Sequence, residues 1–335
     1  MGSLAIFPFK SEDIDVFKRN ISEALSQPAV EAVLCVGYEQ NACYDAIAGM
    51  AEHNTALTVI LQDRLGTKRP GKGDGMNTGL QYFLDRTDHA RVHFYDSDIK
   101  TFSREWITRA EHAADNGFQV VRHYFPRAST DAMITWNITK TGFALLWPQT
   151  RLPAIEQPLG GELLLTREVA EAMVDDARVL AQSDWGIDTL YTWKMFNHGF
   201  SLYETYREVG KIHKLYGRLT DIKSMLIECF AAVQSLQSEP VFNSTIRHEV
   251  EQPQGVPESV KRKTAYDIEG TLTLLMDGWT DRQQELLDYF PERISLPMLE
   301  CQKRPRFGFM NEETWFEVYH ILLQEFRADD PDWQE

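Results

Sequence analysis

Two aspartates separated by one residue, Asp96-Ser97-Asp98, follow a short apolar run in HFYDSDIKTF. In an extended chain, residues i and i+2 project to the same side. Both carboxylates can therefore face one site from the carboxyl end of a strand. Hard cations such as Mg²⁺ take oxygen ligands, and commonly bridge a carboxylate to a diphosphate while keeping some waters. The competing interpretation is a solvated acidic turn. A second candidate is GTKRPGKGDGMNTGL, Gly66–Leu80, where four glycines and Pro70 precede Met76 and Lys68, Arg69 and Lys72 add cations. Backbone N–H groups of a Gly-rich loop ahead of a helix suit a phosphate or sugar hydroxyls. It is not a Walker A loop, which requires Ser or Thr after the lysine; here Gly73 follows Lys72. A flexible surface loop is the alternative.

Three further stretches carry chemistry. His213 in YREVGKIHKLYG offers an imidazole, better suited to Mn²⁺ than to Mg²⁺; taken alone it reads as structural, and its value depends on the aspartate pair. In QSDWGIDTLYTW, Asp184 reads as a helix N-cap. Trp185 and Asp188, three apart, share a helix face, which suits a sugar ring held by an aromatic and a carboxylate. VRHYFPRASTDAMITW gathers Arg122, His123, Arg127, Ser129, Thr130, Asp131 and Thr135. The bidentate fork of Arg127 matches a substrate carboxylate, or else forms a surface ion pair.

These residues need a frame. Strands are predicted over Leu4–Phe9, Ala32–Gly37, Leu57–Leu61 and Val92–Tyr95, alternating with helices over Asp13–Leu25, Cys43–Glu52 and Met76–Leu84. Such alternation implies βαβ units and a mostly parallel sheet covered on both faces, with ligands outside the carboxyl ends of the strands. The glycines delay the third helix until near Met76. Beyond this, Val120–Tyr124 and Phe143–Trp147 read as strands, and helices are expected near Arg167–Asp176 and Ile187–Asn197. After Tyr216 the pattern is helical over Asp221–Gln234, Ala265–Met276, Asp281–Tyr289 and Glu312–Phe326. Glu239–Glu258, polar and rich in proline, reads as a long connection. The division expected is an α/β nucleotide-binding domain over residues 1–216, and a mainly helical C-terminal region over 217–335.

A net charge of −16, from 34 Lys+Arg and 50 Asp+Glu in 335 residues, disfavours nucleic acid and anionic membranes as partners. An anionic nucleotide is then bound only where a local cation or metal reverses the sign. Cys35, Cys43, Cys229 and Cys301 form no CxxC pair and read as reduced thiols. MGSLAIFPFK lacks a charged n-region and cleavage site, and no apolar run approaches the roughly 20 residues needed to span a bilayer. The expectation is a cytoplasmic protein.

Taken in order, FPFK, VLCVGYE, RPGKGDGMNTGL, HFYDSDI, VRHYFPRASTDAMITW, IEQPLGGELL, SDWGIDTLYT and HKLYG resemble the mannosylglycerate synthases, retaining GT-A enzymes of glycosyltransferase family 78. The resemblance runs through RPRFGFMNEETWFEVYH to DPDW. RASTDAMITW and SDWGIDTLYT are not general GT-A features. It implies a GT-A-type α/β fold and transfer of mannose from GDP-mannose to the 2-hydroxyl of D-glycerate. It further implies that Asp96, Asp98 and His213 hold a metal, Mg²⁺ or Mn²⁺ with Ca²⁺ a further candidate. By the same likeness Pro8, Phe9, Lys10, Glu39, Gln62, Lys72, Asp74 and Asp96 serve the nucleotide-sugar. Asp188 touches the mannose at the reacting centre; Arg127, Thr135 and Trp185 form the acceptor pocket, with Leu159, Tyr216 and Met225 in or beside mobile segments over the site. The chain departs from the family pattern in a shorter stretch before QDRLG, which bears on purine recognition, and in ending soon after DPDW, which bears on C-terminal packing and homo-oligomer contacts. The rival readings are a sugar-nucleotide nucleotidyltransferase and a non-catalytic nucleotide-sugar-binding module.

Overall fold

The computed structural model describes residues 2–127, 132–213, 219–241, 245–254 and 268–335. Among them one sheet is built from β1 (Ser3–Phe9), β2 (Val30–Gly37), β3 (Leu57–Leu61), β4 (Arg91–Phe94), β5 (Val120–Tyr124), β6 (Leu163–Thr166), β7 (Leu202–Tyr206) and β8 (His248–Val250). Its order is β3-β2-β1-β4-β6-β5-β7-β8. Only β6 runs against its neighbours, pairing Leu163 with Phe94 on one side and with Arg122 on the other. That reversal matters for the site. It brings Gly161 and Glu162, which precede β6, to the edge where β4 and β5 end.

The expected α/β architecture holds because the central strands β1 and β2 are apolar on both faces. On β1, Leu4 and Ile6 pack with Met76, Leu80 and Phe83, while Ala5, Phe7 and Phe9 pack with Phe17, Ile21 and Trp106. The covering helices are α1 (Ile14–Leu25), α2 (Ala42–Ala51), α3 (Lys72–Arg86), α4 (Arg104–Asp115), α5 (Thr141–Leu146), α6 (Arg167–Val174), α7 (Ala177–Ala181) and α8 (Ile187–Asn197). Then come α9 (Leu219–Ser235), α10 (Ile268–Met276), α11 (Asp281–Leu286), α12 (Glu292–Lys303), α13 (Glu312–Glu325) and α14 (Pro331–Gln334). The C-terminal helices are not a detached appendage. Tyr319 and Leu323 of α13 join Cys229 and Phe230 of α9 in one core cluster with Ile134 and Ile138, and the Tyr319 hydroxyl donates to Ile138 O at 2.8 Å. Among the described residues no helix is long and apolar enough to cross a membrane.

Three expectations of local structure are corrected. The helix placed near Met76 begins at Lys72: its glycines serve close approach rather than disorder, because a Cβ on Gly73 would collide with the Gln182 carbonyl. Phe143–Trp147 lies mostly in α5, not in a strand. A short apolar run fits either state, and here Phe143 and Trp147 meet at i,i+4 spacing with ring centroids 5.9 Å apart. The supposed connection Glu239–Glu258 contains β8, which extends the sheet beside β7.

Gly73→Ala therefore tests the α3 contact. Overpacking against a fixed carbonyl should lower stability by about 1–3 kcal/mol, read as a lower melting temperature, with Gly49→Ala, which meets nothing within 4 Å, as the neutral control.

Candidate active site

A cleft of about 890 Å³ opens where the parallel strands end. Pro8, Phe9 and Lys10 follow or close β1, Tyr38 follows β2, Gln62 follows β3, Asp96 and Asp98 follow β4, Arg127 follows β5, and Lys211 and His213 follow β7. The aspartate pair does not sit in extended chain as expected; Ser97 and Asp98 form a turn. The turn is pinned from outside: Asn20 Nδ2 donates to Ser97 O and Ile99 O, both at 3.0 Å, and Ser97 Oγ donates to Pro8 O at 3.1 Å. The segment bearing Lys211 and His213 is bound to the same turn. Lys100 N donates to Ile212 O at 2.7 Å, Ile212 N donates to Thr101 Oγ1 at 3.1 Å, and that hydroxyl donates to Gly210 O at 2.8 Å. Residues more than a hundred positions apart thus reach one site as a single backbone unit.

A row of alternating charges crosses the cleft floor. Lys72 Nζ lies 2.8 Å from Asp188 Oδ2 and 3.7 Å from Asp96 Oδ1. Lys211 Nζ pairs with Asp96 and lies 2.6 Å from Glu162 Oε1. Burial opposes the charge of each lysine, but the surrounding carboxylates hold both ammonium groups above the ordinary lysine range. Burial likewise opposes ionisation of Asp96, yet Lys211 and Lys72 hold it well below the usual carboxylate range. For Glu162, burial wins and its pKa is raised. Gly161 is what lets these groups approach, since a Cβ there would stand 2.6 Å from Lys72 Nζ and 2.9 Å from Asp96 Oδ1. Asp188 Oδ1 is buried and, among the described residues, has no hydrogen-bond partner.

Asp184 does not cap its own helix, the role expected for it. The N-cap of α8 is Gly186 and carries no side-chain cap. Asp184 Oδ1 instead accepts from Lys72 N at 3.0 Å, capping α3 from a distance, while its other oxygen lies 2.6 Å from Arg69 Nη2. Arg69 also reaches Glu228 Oε1 at 3.2 Å on α9. Burial, with Glu228 adding its charge, pushes Asp184 up to about 7 against the pull of half-exposed Arg69.

At the far end of the cleft, Arg127 Nη1 donates to Thr135 Oγ1 at 3.2 Å, where a π-helical turn begins. Such turns recur at functional sites. Leu159, Trp185, Ile222 and Met225 form an apolar wall packed on the core cluster shared with the C-terminal helices. The segment carrying Gln157 and Leu159 is held by two buried opposite charges that are register partners on β5 and β7. Arg122 donates to the carbonyls of Gln157, Pro158 and Gly160 at 2.9–3.3 Å, and Glu204 accepts from Glu156 N at 2.9 Å and Gln157 N at 3.2 Å. Arg122 Nη2 also donates to Thr192 Oγ1 at 2.6 Å, one helical turn beyond Asp188.

Of the expected site residues, Pro8, Phe9, Lys10, Gln62, Lys72, Asp96, Asp98, Arg127, Thr135, Leu159, Trp185, Asp188, His213 and Met225 line this one cleft. Two do not. Asp74 is fully buried in α3, paired with Arg64 and accepting from Gly66 N at 2.7 Å. It folds the loop before Lys72 rather than facing the cleft. Glu39 is exposed beside Tyr38 and outside the lining. Tyr216 lies outside the described residues, as do Ser129, Thr130 and Asp131. Sequence reading missed Lys211, Glu162, Gln157 and Tyr38, whose ring lies 4.3 Å under Lys10 Nζ. Lys211 had one available signal, a spacing of two from His213.

The donor chemistry for a divalent cation is present in Asp98 and His213, an oxygen and a nitrogen ligand on two segments bound to each other. Asp96, expected as a third ligand, is occupied by Lys211. The described residues assemble no group of three His, Cys, Asp or Glu side chains able to hold a metal, so a cation here would complete its coordination with water or ligand oxygens.

The chain matches the model for the glycosyltransferase domain of mannosylglycerate synthase over residues 3–235, and that for the mannosylglycerate synthase C-terminal domain over residues 260–335. It belongs to the mannosylglycerate synthase family. It is 54% identical to mannosylglycerate synthase of Rhodothermus marinus over 338 residues, spanning 99% of this chain and 85% of that one. To the Selaginella moellendorffii mannosylglycerate synthase it is 52% identical over 340 residues, spanning 99% and 81%. Among solved structures it is similar to glucosyl-3-phosphoglycerate synthase from Mycobacterium tuberculosis in complex with Mn²⁺, UDP-glucose and phosphoglyceric acid. There the TM-score is 0.56 and the identity 17%, over 71% of this chain and 80% of that one. Mannosyl-3-phosphoglycerate synthase from Rubrobacter xylanophilus gives 0.56 and 18%, over 71% and 75%. At such identities these two share the fold.

Two outcomes follow from this geometry. Because folded Asp184 titrates near 7 and an unfolded aspartate near 3.9, its contribution to stability is complete below about pH 4 and is lost as pH rises toward 7. Asp184→Asn keeps the acceptor for Lys72 N, so melting temperatures of the variant minus wild type should become more positive from pH 4 to pH 7.5; a constant difference contradicts the assignment. Arg122→Met leaves three loop carbonyls without their donor and should lower kcat/KM by on the order of tenfold or more, whereas an unchanged value means the loop holds itself.

Proposed function

We propose that this chain transfers mannose from GDP-mannose to the 2-hydroxyl of D-glycerate, or of a close 2-hydroxy acid, with retention of anomeric configuration. Its family places it among the glycosyltransferases that make mannosylglycerate. The observation that carries the finer reading is Asp188. One oxygen lies 2.8 Å from Lys72 Nζ, and the other is a buried acceptor with no partner among the described residues. A sugar hydroxyl would satisfy it, with the diphosphate alongside Lys72.

Lys72 stabilises the negative charge that develops as the bond between C1 and the phosphate oxygen breaks. Asp188 orients the mannose and steadies positive charge on the ring. Arg127 and Thr135 receive the carboxylate and hydroxyls of the acceptor, and Trp185 covers the sugar. The acceptor oxygen forms its bond to C1 on the face the diphosphate leaves, and its proton passes to the departing phosphate oxygen. A divalent cation, Mg²⁺ or Mn²⁺, held by Asp98 and His213, supplies Lewis-acid neutralisation of the diphosphate when bound. Phe9, Lys10, Tyr38 and Gln62, whose Nε2 is a buried donor without a partner among the described residues, serve the nucleoside.

Incubation with GDP-mannose, D-glycerate and Mn²⁺ should give mannosylglycerate and GDP, and EDTA should abolish both. Release of pyrophosphate would identify a nucleotidyltransferase instead. Asp188→Asn should lower kcat about 10²–10³-fold, and mass spectrometry during turnover should find unmodified protein; a mannosyl adduct on Asp188 replaces the front-face route with double displacement.

A further inference from the structure

We propose that Lys211 is a β-phosphate-binding residue that holds Asp96 paired until the nucleotide arrives, so that cation and nucleoside diphosphate enter the cleft together. This rests on the reading of the cleft as a nucleoside-diphosphate-sugar site. Three observations carry it. Lys211 lines the cleft, with only 9% of its side chain exposed, yet it is delivered there by a segment pinned to the aspartate turn at Gly210 and Ile212. Its ammonium group is shared between Asp96 and Glu162. The row Asp188, Lys72, Asp96, Lys211, Glu162 has two cations against three carboxylates.

In the empty cleft, a divalent cation beside Asp98 meets Lys211 as a neighbouring positive charge and finds Asp96 already occupied. Few ligands remain to offset that repulsion. A diphosphate reverses the balance. Its oxygens accept from Lys211 and Lys72 and also coordinate the cation, so the two positive charges become joint partners of one anion instead of rivals for one aspartate. Glu162 keeps Lys211 anchored during the exchange, because its 2.6 Å contact does not depend on Asp96.

The test compares wild type with Lys211→Met, Lys211→Arg and the double variant Lys211→Met/Glu162→Gln. Free Mn²⁺ is followed by electron paramagnetic resonance, and GDP and GMP binding by calorimetry. Lys211→Met should bind Mn²⁺ alone more tightly and GDP without metal more weakly, each on the order of tenfold. GMP, which lacks the β-phosphate, should bind with unchanged affinity. Lys211→Arg should keep GDP binding and weak Mn²⁺ binding. If the single methionine variant does not fold, the double variant, in which the second buried carboxylate is neutral, carries the same expectations. Unchanged Mn²⁺ or GDP affinity in a folded methionine variant, or equal losses for GDP and GMP, overturns the role of Lys211 alone. A wild-type chain that fails to bind GDP with Mn²⁺ overturns the nucleotide reading itself.

Discussion

Charges buried at the carboxyl edge of a parallel sheet must be paired, and much of the architecture around this cleft answers that requirement. An isolated ionised side chain is costly to bury, whereas a well-paired one is tolerated. The row Asp188, Lys72, Asp96, Lys211 and Glu162 draws its members from α8, α3, the turn after β4, the segment after β7 and the entry to β6. No two adjacent members are close in sequence. The row exists only when the sheet has its full order, and Gly161 has no side chain to wedge it open. Its open acceptor on Asp188 is a polar atom left for a ligand.

Around the row the backbone is held by a second set of buried polar groups. Arg122 and Glu204, side by side on β5 and β7, grip carbonyls and amides of the same segment from opposite signs of charge. His248, brought in by β8, lies 2.8 Å from Glu204. Asp184 caps α3 at the residue whose side chain reaches Asp188, so one carboxylate controls the position of another's partner. These are supporting contacts of the kind that fix a site within a fraction of an ångström.

The far end of the cleft depends on a different force. Leu159, Trp185, Ile222 and Met225 are held by apolar packing onto Ile134, Ile138, Phe230 and Tyr319. The helices after residue 217 therefore shape the pocket wall rather than merely following the sheet. Arg69 ties the same region to the Gly-rich loop through Glu228 on α9. In this way the two matched portions of the family, residues 3–235 and 260–335, share one core cluster next to the cleft.

Periodicity and local chemistry in the sequence determined the βαβ frame, the strand ends at Phe9, Leu61 and Tyr124, the helix Ile187–Asn197 and the charged and aromatic cleft residues Lys72, Asp96, Asp98, Arg127, Trp185 and Asp188. Those features rest on contacts between near neighbours: alternating apolar residues, turn formers and carboxylates two or three positions apart. The cleft residues Pro8, Phe9, Lys10, Gln62, Leu159 and Met225 came only from the family resemblance. Only the tertiary structure decided that β6 runs antiparallel, that Asp184 caps a helix a hundred residues away, that Asp74 faces a loop instead of the cleft, and that Lys211 occupies Asp96. The Asp184 and Lys211 contacts pair buried polar groups more than a hundred residues apart, and even the nearby partners of Asp74 follow from how the loop folds around it. A sequence shows that such a group is present but not which distant partner desolvation will force upon it.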